Sequence, residues 1–280
     1  MKLNKISPTI GLVASSILLM STTPAQAFNF TNKTDLGTCA SLVDELPKGG
    51  GLDSTLSKEC TTSDGFKLIA GADAGNAKLQ GKEVVDNKLS DDGYNGSVLG
   101  VGVSKSNVDA VSGEIDLGEY IDLILPETGV LESIDLSFLY KPGHKGDQVY
   151  EVSFLSAGDG GWLTGTLKVL ADLTGTGNTK ARWSVADLGI NTIIEAISAS
   201  TNSGGGWYSI LNPFGDTKIA GLKLSAPTQG FNVSGDSPAN NDFSLVGATM
   251  KVPEPATLLG LGLVAGAMAA SRKRQARKVS

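Results

Sequence analysis

The sequence predicts an all-β protein, an antiparallel β-sandwich of jelly-roll type, carrying a processing segment at each end. Three observations predict it. Short runs alternate apolar and polar residues, which gives a strand one buried and one wet face. Turn-forming residues recur about every ten positions, the spacing of sandwiches and jelly rolls. The chain holds 36 glycines and only 6% aromatic residues in its 280, so turns are plentiful and large side chains few. One all-β unit of about 220 residues is an ordinary size.

Taken in order, the first element is not part of the fold. In MKLNKISPTIGLVASSILLMSTTPAQA, Lys2 and Lys5 form a positive start and Ile10 to Met20 an apolar run. Ala25-Gln26-Ala27 supplies the small-x-small pattern at which signal peptidase cuts, making Phe28 the expected mature N-terminus. The expected division is therefore 1–27 signal peptide, 28–251 ectodomain and 252–280 tail.

Within the ectodomain, DLGTCASLVDELPKGGG predicts a short helix around Cys39 to Leu46, stopped by Pro47 and the glycines. Ile115, Leu117, Ile121, Leu123 and Leu125 share one parity and predict a strand. In SIDLSFLY, Ile134, Leu136, Phe138 and Tyr140 share a face; in QVYEVSFL, Tyr150, Val152 and Phe154 do. The turn-rich KPGHKGD between them predicts a hairpin. Leu163, Leu167, Val169, Ala171 and Leu173 define the next strand. Ala181, Trp183 and Val185 alternate with Lys180, Arg182 and Ser184. LGINTIIEAISAS carries both helical spacing and β-branched density, and is read as strand. Segments 219–224 and 243–246 predict the last strands, with SGDSPANND a loop before the second.

The charge excludes one class of function. Setting aside Lys2, Lys5 and the five basic residues after the terminal apolar run leaves sixteen basic against twenty-nine acidic residues, a net charge of about −13. Only Arg182 among those sixteen is an arginine. Nucleic-acid binding needs clustered cations to neutralise phosphates, so it is rejected. An acidic, arginine-poor surface suits a soluble exported domain. Cys39 and Cys60 would meet an oxidising compartment after export, and a disulfide between them is expected. Closing a loop of that size contributes about 3 kcal/mol on the chain-entropy account.

Catalytic constellations are thin. His144 is the sole histidine, stands in the KPGHKGD turn, and has no G-x-S-x-G elbow to serve. Asp159 and Asp216 lie in loops near aromatics without a hydrolase signature around them. DDGYNG at 91–96 imitates part of an EF-hand loop, but Gly93 and Gly102 stand where carboxylates are required. No enzyme, no cofactor and no metal ligand set is therefore expected, with a structural calcium ion in oxygen-rich loops left open. Trp162 after two glycines, and Trp207-Tyr208 after three, could stack on a sugar ring or fold inward as core; stacking requires Trp207 to be exposed.

The chain ends VPEPATLLGLGLVAGAMAASRKRQARKVS. The apolar run from 256 to 270 is short for a bilayer span, which takes about 20 residues, and reads as a marginal transmembrane helix. Arg272, Lys273 and Arg274 behind it act as a basic stop on the cytoplasmic side. Val252-Pro253-Glu254-Pro255, the Gly/Leu-rich run and the basic end together resemble the PEP-CTERM sorting signal of Gram-negative bacteria, especially its cyanobacterial versions. The resemblance implies recognition and cleavage by an exosortase after signal peptidase has acted at the inner membrane. It implies delivery to the cell surface or extracellular matrix, with extracellular polysaccharide as a further partner. It transfers no catalytic residue. The expected role is structural or adhesive, with a carbohydrate-binding module as the alternative and a glycan hydrolase behind it.

Overall fold

The structure is a computed structural model of the 280-residue chain. It describes residues 25–43, 56–73, 75–85, 97–104, 113–139, 152–157, 163–170, 180–197, 206–226 and 242–251. These all fall in one compact unit, Ala25–Pro253.

Among the described residues thirteen antiparallel strands join in one sheet. They are β1 (Gln26–Asn29), β2 (Glu59–Thr61), β3 (Lys67–Ala72), β4 (Lys78–Val85), β5 (Ser97–Ser104), β6 (Glu119–Leu139) and β7 (Val152–Ala157). Then come β8 (Leu163–Val169), β9 (Lys180–Val185), β10 (Ile190–Glu195), β11 (Gly206–Leu211), β12 (Lys218–Ser225) and β13 (Ser244–Lys251). The all-β expectation holds. The two separate sheets of a sandwich are replaced by one curled sheet, because the 21-residue β6 belongs to both layers.

The N-terminal half of β6 lies between β3 and β12, and its C-terminal half between β13 and β11. The sequence of β6 explains the change of layer. Ile121, Leu123 and Leu125 point inward in strict alternation and are buried. Pro126 then interrupts the ladder, since it has no N–H to donate. Pairing with β12 jumps there from Gly221 opposite Ile124 to Ile219 opposite Gly129. A second irregularity sets Thr249 opposite Ser133 but Met250 opposite Leu131, so Glu132 is the extra residue and stays exposed. Such a bulge reverses which residues face the core: Leu131 is inward before it, Ile134 and Leu136 after it.

One layer runs β2–β3–β6–β12–β7–β8–β9–β10 and the other β11–β6–β13–β5–β4, with β1 beside β13. The sheet curls until its far ends touch. Ile197, just after β10, donates its N–H to Trp207 O on β11 at 2.7 Å. Ser57, just before β2, exchanges backbone hydrogen bonds of 3.3 and 2.6 Å with Leu79 on β4. Edges closed in this way offer little template for foreign strands.

The core lies between the layers. Trp183 on β9 is its largest fully buried side chain; its Nε1 donates to Pro213 O at 2.9 Å, and its ring meets Phe214 edge-on at 5.9 Å. Phe28 and Phe30 anchor the N-terminal strand, with Phe28 stacking edge-on against Phe30 at 5.6 Å and Phe66 at 5.0 Å. The helix expected around Cys39 is a 3₁₀ turn, Gly37–Leu42. Cys39 in that turn is bonded to Cys60 on β2, with their Cα atoms 5.0 Å apart. Gly37 is required at the clasp: its φ is +53°, and a Cβ there would stand 2.5 Å from Thr61 O.

Two expectations are corrected. β6 and β7 do not form a hairpin, because residues 133–139 of β6 pair with β11 and β13, while β7 pairs with β12 and β8. On β7 the buried parity is Ser153, Leu155 and Ala157, while Phe154 is only half-buried on the opposite face. Tyr140, Tyr150, Ala171, Leu173 and the 234–241 loop lie outside the described residues.

Candidate functional site

The residues that carry an address are those where the chain enters and leaves the fold. β1 and β13 pair antiparallel, with Gln26 opposite Met250, Ala27 opposite Thr249, Phe28 opposite Ala248 and Asn29 opposite Gly247. The start of the first strand therefore lies beside the end of the last. These neighbouring strands are about 4.8 Å apart.

Each strand is held firmly. β13 is bonded to β6 along one side, and to β5 and β1 along the other. Its Leu245, Val246, Ala248 and Met250 are buried. Ser244 Oγ donates to Gly113 O at 2.6 Å, tying the start of β13 to the loop before β6. On β1, Ala27 N donates to Asp64 Oδ2 at 2.8 Å. The expected cut after Ala27 falls inside this strand. It would remove Gln26 and Ala27 and leave Phe28 and Asn29 in the ladder.

The last residue of β13, Lys251, is where the comparison with protein families begins. Residues 251–274 match the family described as PEP-CTERM protein-sorting motif. The chain carries a PEP-CTERM sorting motif. The match covers Val252, Pro253, Glu254 and Pro255 and the basic residues Arg272, Lys273 and Arg274. It implies export, association with the cell surface and processing by an exosortase. No curated protein and no solved structure matches the chain. The matched residues beyond Lys251, residues 1–24 of the expected signal peptide and the apolar run 256–270 lie outside the described residues. Among the described residues no helix is long and apolar enough to cross a membrane.

The other candidates divide sharply. Cys39 and Cys60 form the expected disulfide. Trp207 and Tyr208 do not stand in a loop: they belong to β11, and only 6% and 0% of their surfaces are exposed. Tyr208 and Ile210 face inward beside Leu136 and Ile134 of β6, so this aromatic pair fills the fold and presents no stacking platform. Sequence reasoning took the preceding glycines as a loop, although Tyr208 and Ile210 already alternate with Ser209. Asp216 is exposed in the turn after β11. His144, Asp159, Trp162 and the 91–96 segment lie outside the described residues. Among the described residues no three His, Cys, Asp or Glu side chains group as metal ligands.

Three charged groups have distinctive surroundings. Glu114 is 1% exposed and pairs with Lys82, whose Nζ also stands over the Phe138 ring, 5.0 Å from its centroid. Burial pushes the Asp135 carboxyl above its ordinary value, partly offset by a hydrogen bond from Ser209. Burial also raises Asp122, against the lowering pull of Lys223 and Lys58. Among the described residues neither raised carboxylate has a histidine beside it.

Proposed function

We propose that the chain is an exported surface or extracellular-matrix protein with a structural or adhesive role and no catalysis. It is made with a signal peptide, retained by its C-terminal apolar run and released to the surface when an exosortase acts at Pro253-Glu254-Pro255. The match at 251–274, starting on the last residue of β13, carries this reading. The architecture supports it. A curled sheet with closed ends, a disulfide and an acidic surface suits an environment without chaperones or reductants. The strands that lead to the two expected processing junctions, β1 and β13, are neighbours.

The test replaces Pro253, Glu254 and Pro255 together by alanine and follows the chain by cell fractionation. The expected result is loss from the surface fraction with accumulation in the inner membrane. Unchanged surface display of the variant would sink the proposal.

A further inference from the structure

β1 contains a peptide bond that the chain is expected to lose. The cut after Ala27 severs the Ala27–Phe28 bond, and in the fold that bond lies within the ladder. Ala27 stands opposite Thr249 and Phe28 opposite Ala248. Phe28 is 2% exposed. A peptidase needs its substrate backbone free of such pairing, so cutting precedes the docking of β1. The order of the chain allows this, because β13, which β1 joins, is the last strand in the sequence.

The cut changes the chemistry beside Asp64. In the uncut fold Ala27 N donates to Asp64 Oδ2 at 2.8 Å. Asp64 is half-buried in the turn that joins β2 to β3. Hydrogen bonds within the turn fix its place: Thr62 N donates to Phe66 O at 2.9 Å, Gly65 N to Thr62 O at 3.1 Å and Phe66 N to Thr62 Oγ1 at 3.0 Å. Loss of Ala27 takes its N–H away from this positioned carboxylate. It also converts Phe28 N into an ammonium group, one residue further along the strand, a step of about 3.4 Å. Before the cut Phe28 N has a single N–H. Phe30 N donates to Val246 O on β13, and strand alternation turns Phe28 N the same way. After the cut the ammonium has three donors. One keeps the ladder, and another is free to turn to Asp64.

We propose that Asp64 receives the mature amino terminus: the new α-ammonium of Phe28 pairs with its carboxylate and pins β1 to the sheet in the processed chain. The same corner holds the Phe28 side chain. Its ring meets Phe66, two residues after Asp64, edge-on at 5.0 Å, and Phe30 at 5.6 Å. An apolar slot for the first side chain and a carboxylate for its amine make a two-point seat for the new chain end. A hydrogen bond with one charged partner gives way to one in which both partners are charged. The proposal rests on the signal-peptide reading above and goes beyond it, because it gives the cut a consequence inside the fold.

The experiment takes the chain as processed in the cell, in mild detergent. It follows acylation of the α-amine by an amine-directed reagent, read by mass spectrometry of the N-terminal peptide. The expected result is a Phe28 amine that reacts at least about tenfold more slowly in the folded chain than after unfolding, the scale of one charge-assisted hydrogen bond. Asp64→Asn keeps an acceptor and removes the charge, and should restore most of the lost rate in a folded chain. Equal rates for the folded and unfolded parent chain would overturn the proposal without any variant. So would a folded Asp64→Asn chain as well protected as the parent. A mature chain that begins elsewhere than Phe28 contradicts the signal-peptide reading and this proposal together. One that begins at Phe28 with a freely reacting amine contradicts this proposal alone.

Discussion

The indole of Trp183 occupies the space that Gly165 leaves open. Gly165 on β8 pairs with Val185 on β9, so Trp183, two residues away, lies diagonally across it, and a Cβ at Gly165 would overlap the six-membered ring. Trp183 cannot yield easily, being 1% exposed and hydrogen-bonded through Nε1 to Pro213 O. Gly165→Ala should therefore destabilise the domain by about 2 kcal/mol, within the usual range for overpacking. That is a fall in thermal midpoint of roughly 4–8 °C for a domain of this size. Adding Trp183→Phe should make the two changes less than additive, because the smaller ring relieves the overlap. Calorimetry of the two single variants and the double variant checks this.

The pair formed by Lys82 and Glu114 should be costly to break and cheap to replace. Glu114 is 1% exposed and Lys82 21%, so removing the cation leaves a carboxylate with less compensation inside the fold. Lys82→Met should cost about 2–3 kcal/mol, at the low end for a buried pair because Lys82 retains some water. K82M/E114L should cost less than the sum of its parts. Urea denaturation of the three variants measures this, and simple additivity would contradict the pairing.

Asp135 predicts a pH dependence of definite sign. Burial raises its folded-state value above the ordinary 3.8. The folded state thus binds a proton more readily than the unfolded chain, and its stabilising contribution is full below the unfolded value. It is lost as pH rises through the folded value. Asp135→Asn keeps an acceptor for Ser209 and removes the charge. It should raise the thermal midpoint at pH 7, and the gain should shrink as pH falls to about 4 and below. A midpoint lowered by the substitution at neutral pH would contradict this.

Reduction should loosen the N-terminal corner. The Cys39–Cys60 bond spans 21 positions and ties the 3₁₀ turn to β2. C39S/C60S should cost about 2–4 kcal/mol by the loop-closure account. Hydrogen exchange should quicken first at Thr61 N, which is bonded to Thr38 Oγ1 at 2.8 Å, and at Ser63 N, bonded to Asp35 O at 2.8 Å.

Much of this fold was legible because alternation reports burial directly. Ala181, Trp183 and Val185, or Ile121, Leu123 and Leu125, face inward as their parity requires. Pairing was not legible where it is non-local: KPGHKGD reads as a hairpin turn, yet the strand before it pairs with β11 and β13 and the strand after it with β12 and β8. On β7, the size of Phe154 outweighed Ser153 in the reading, although Ser153 is the buried one. Strands β3, β4 and β5 were obscured by glycines placed for close approach. At Gly81 a Cβ would overlap Leu42 O, and at Gly102 the backbone of Glu114, so glycines interrupt the alternation of these strands. Of the functional residues, the tail was legible because its signal is linear and needs no fold. Lys168 and Arg182 become neighbours only through register, which no linear pattern reports.

The central claim concerns the C-terminus, and mass spectrometry of the mature chain from bacterial surface fractions tests it most directly. The account predicts a chain that begins at Phe28 and has lost everything beyond the Pro253-Glu254-Pro255 region. A surface-displayed chain whose last peptide still ends at Ser280 would contradict it.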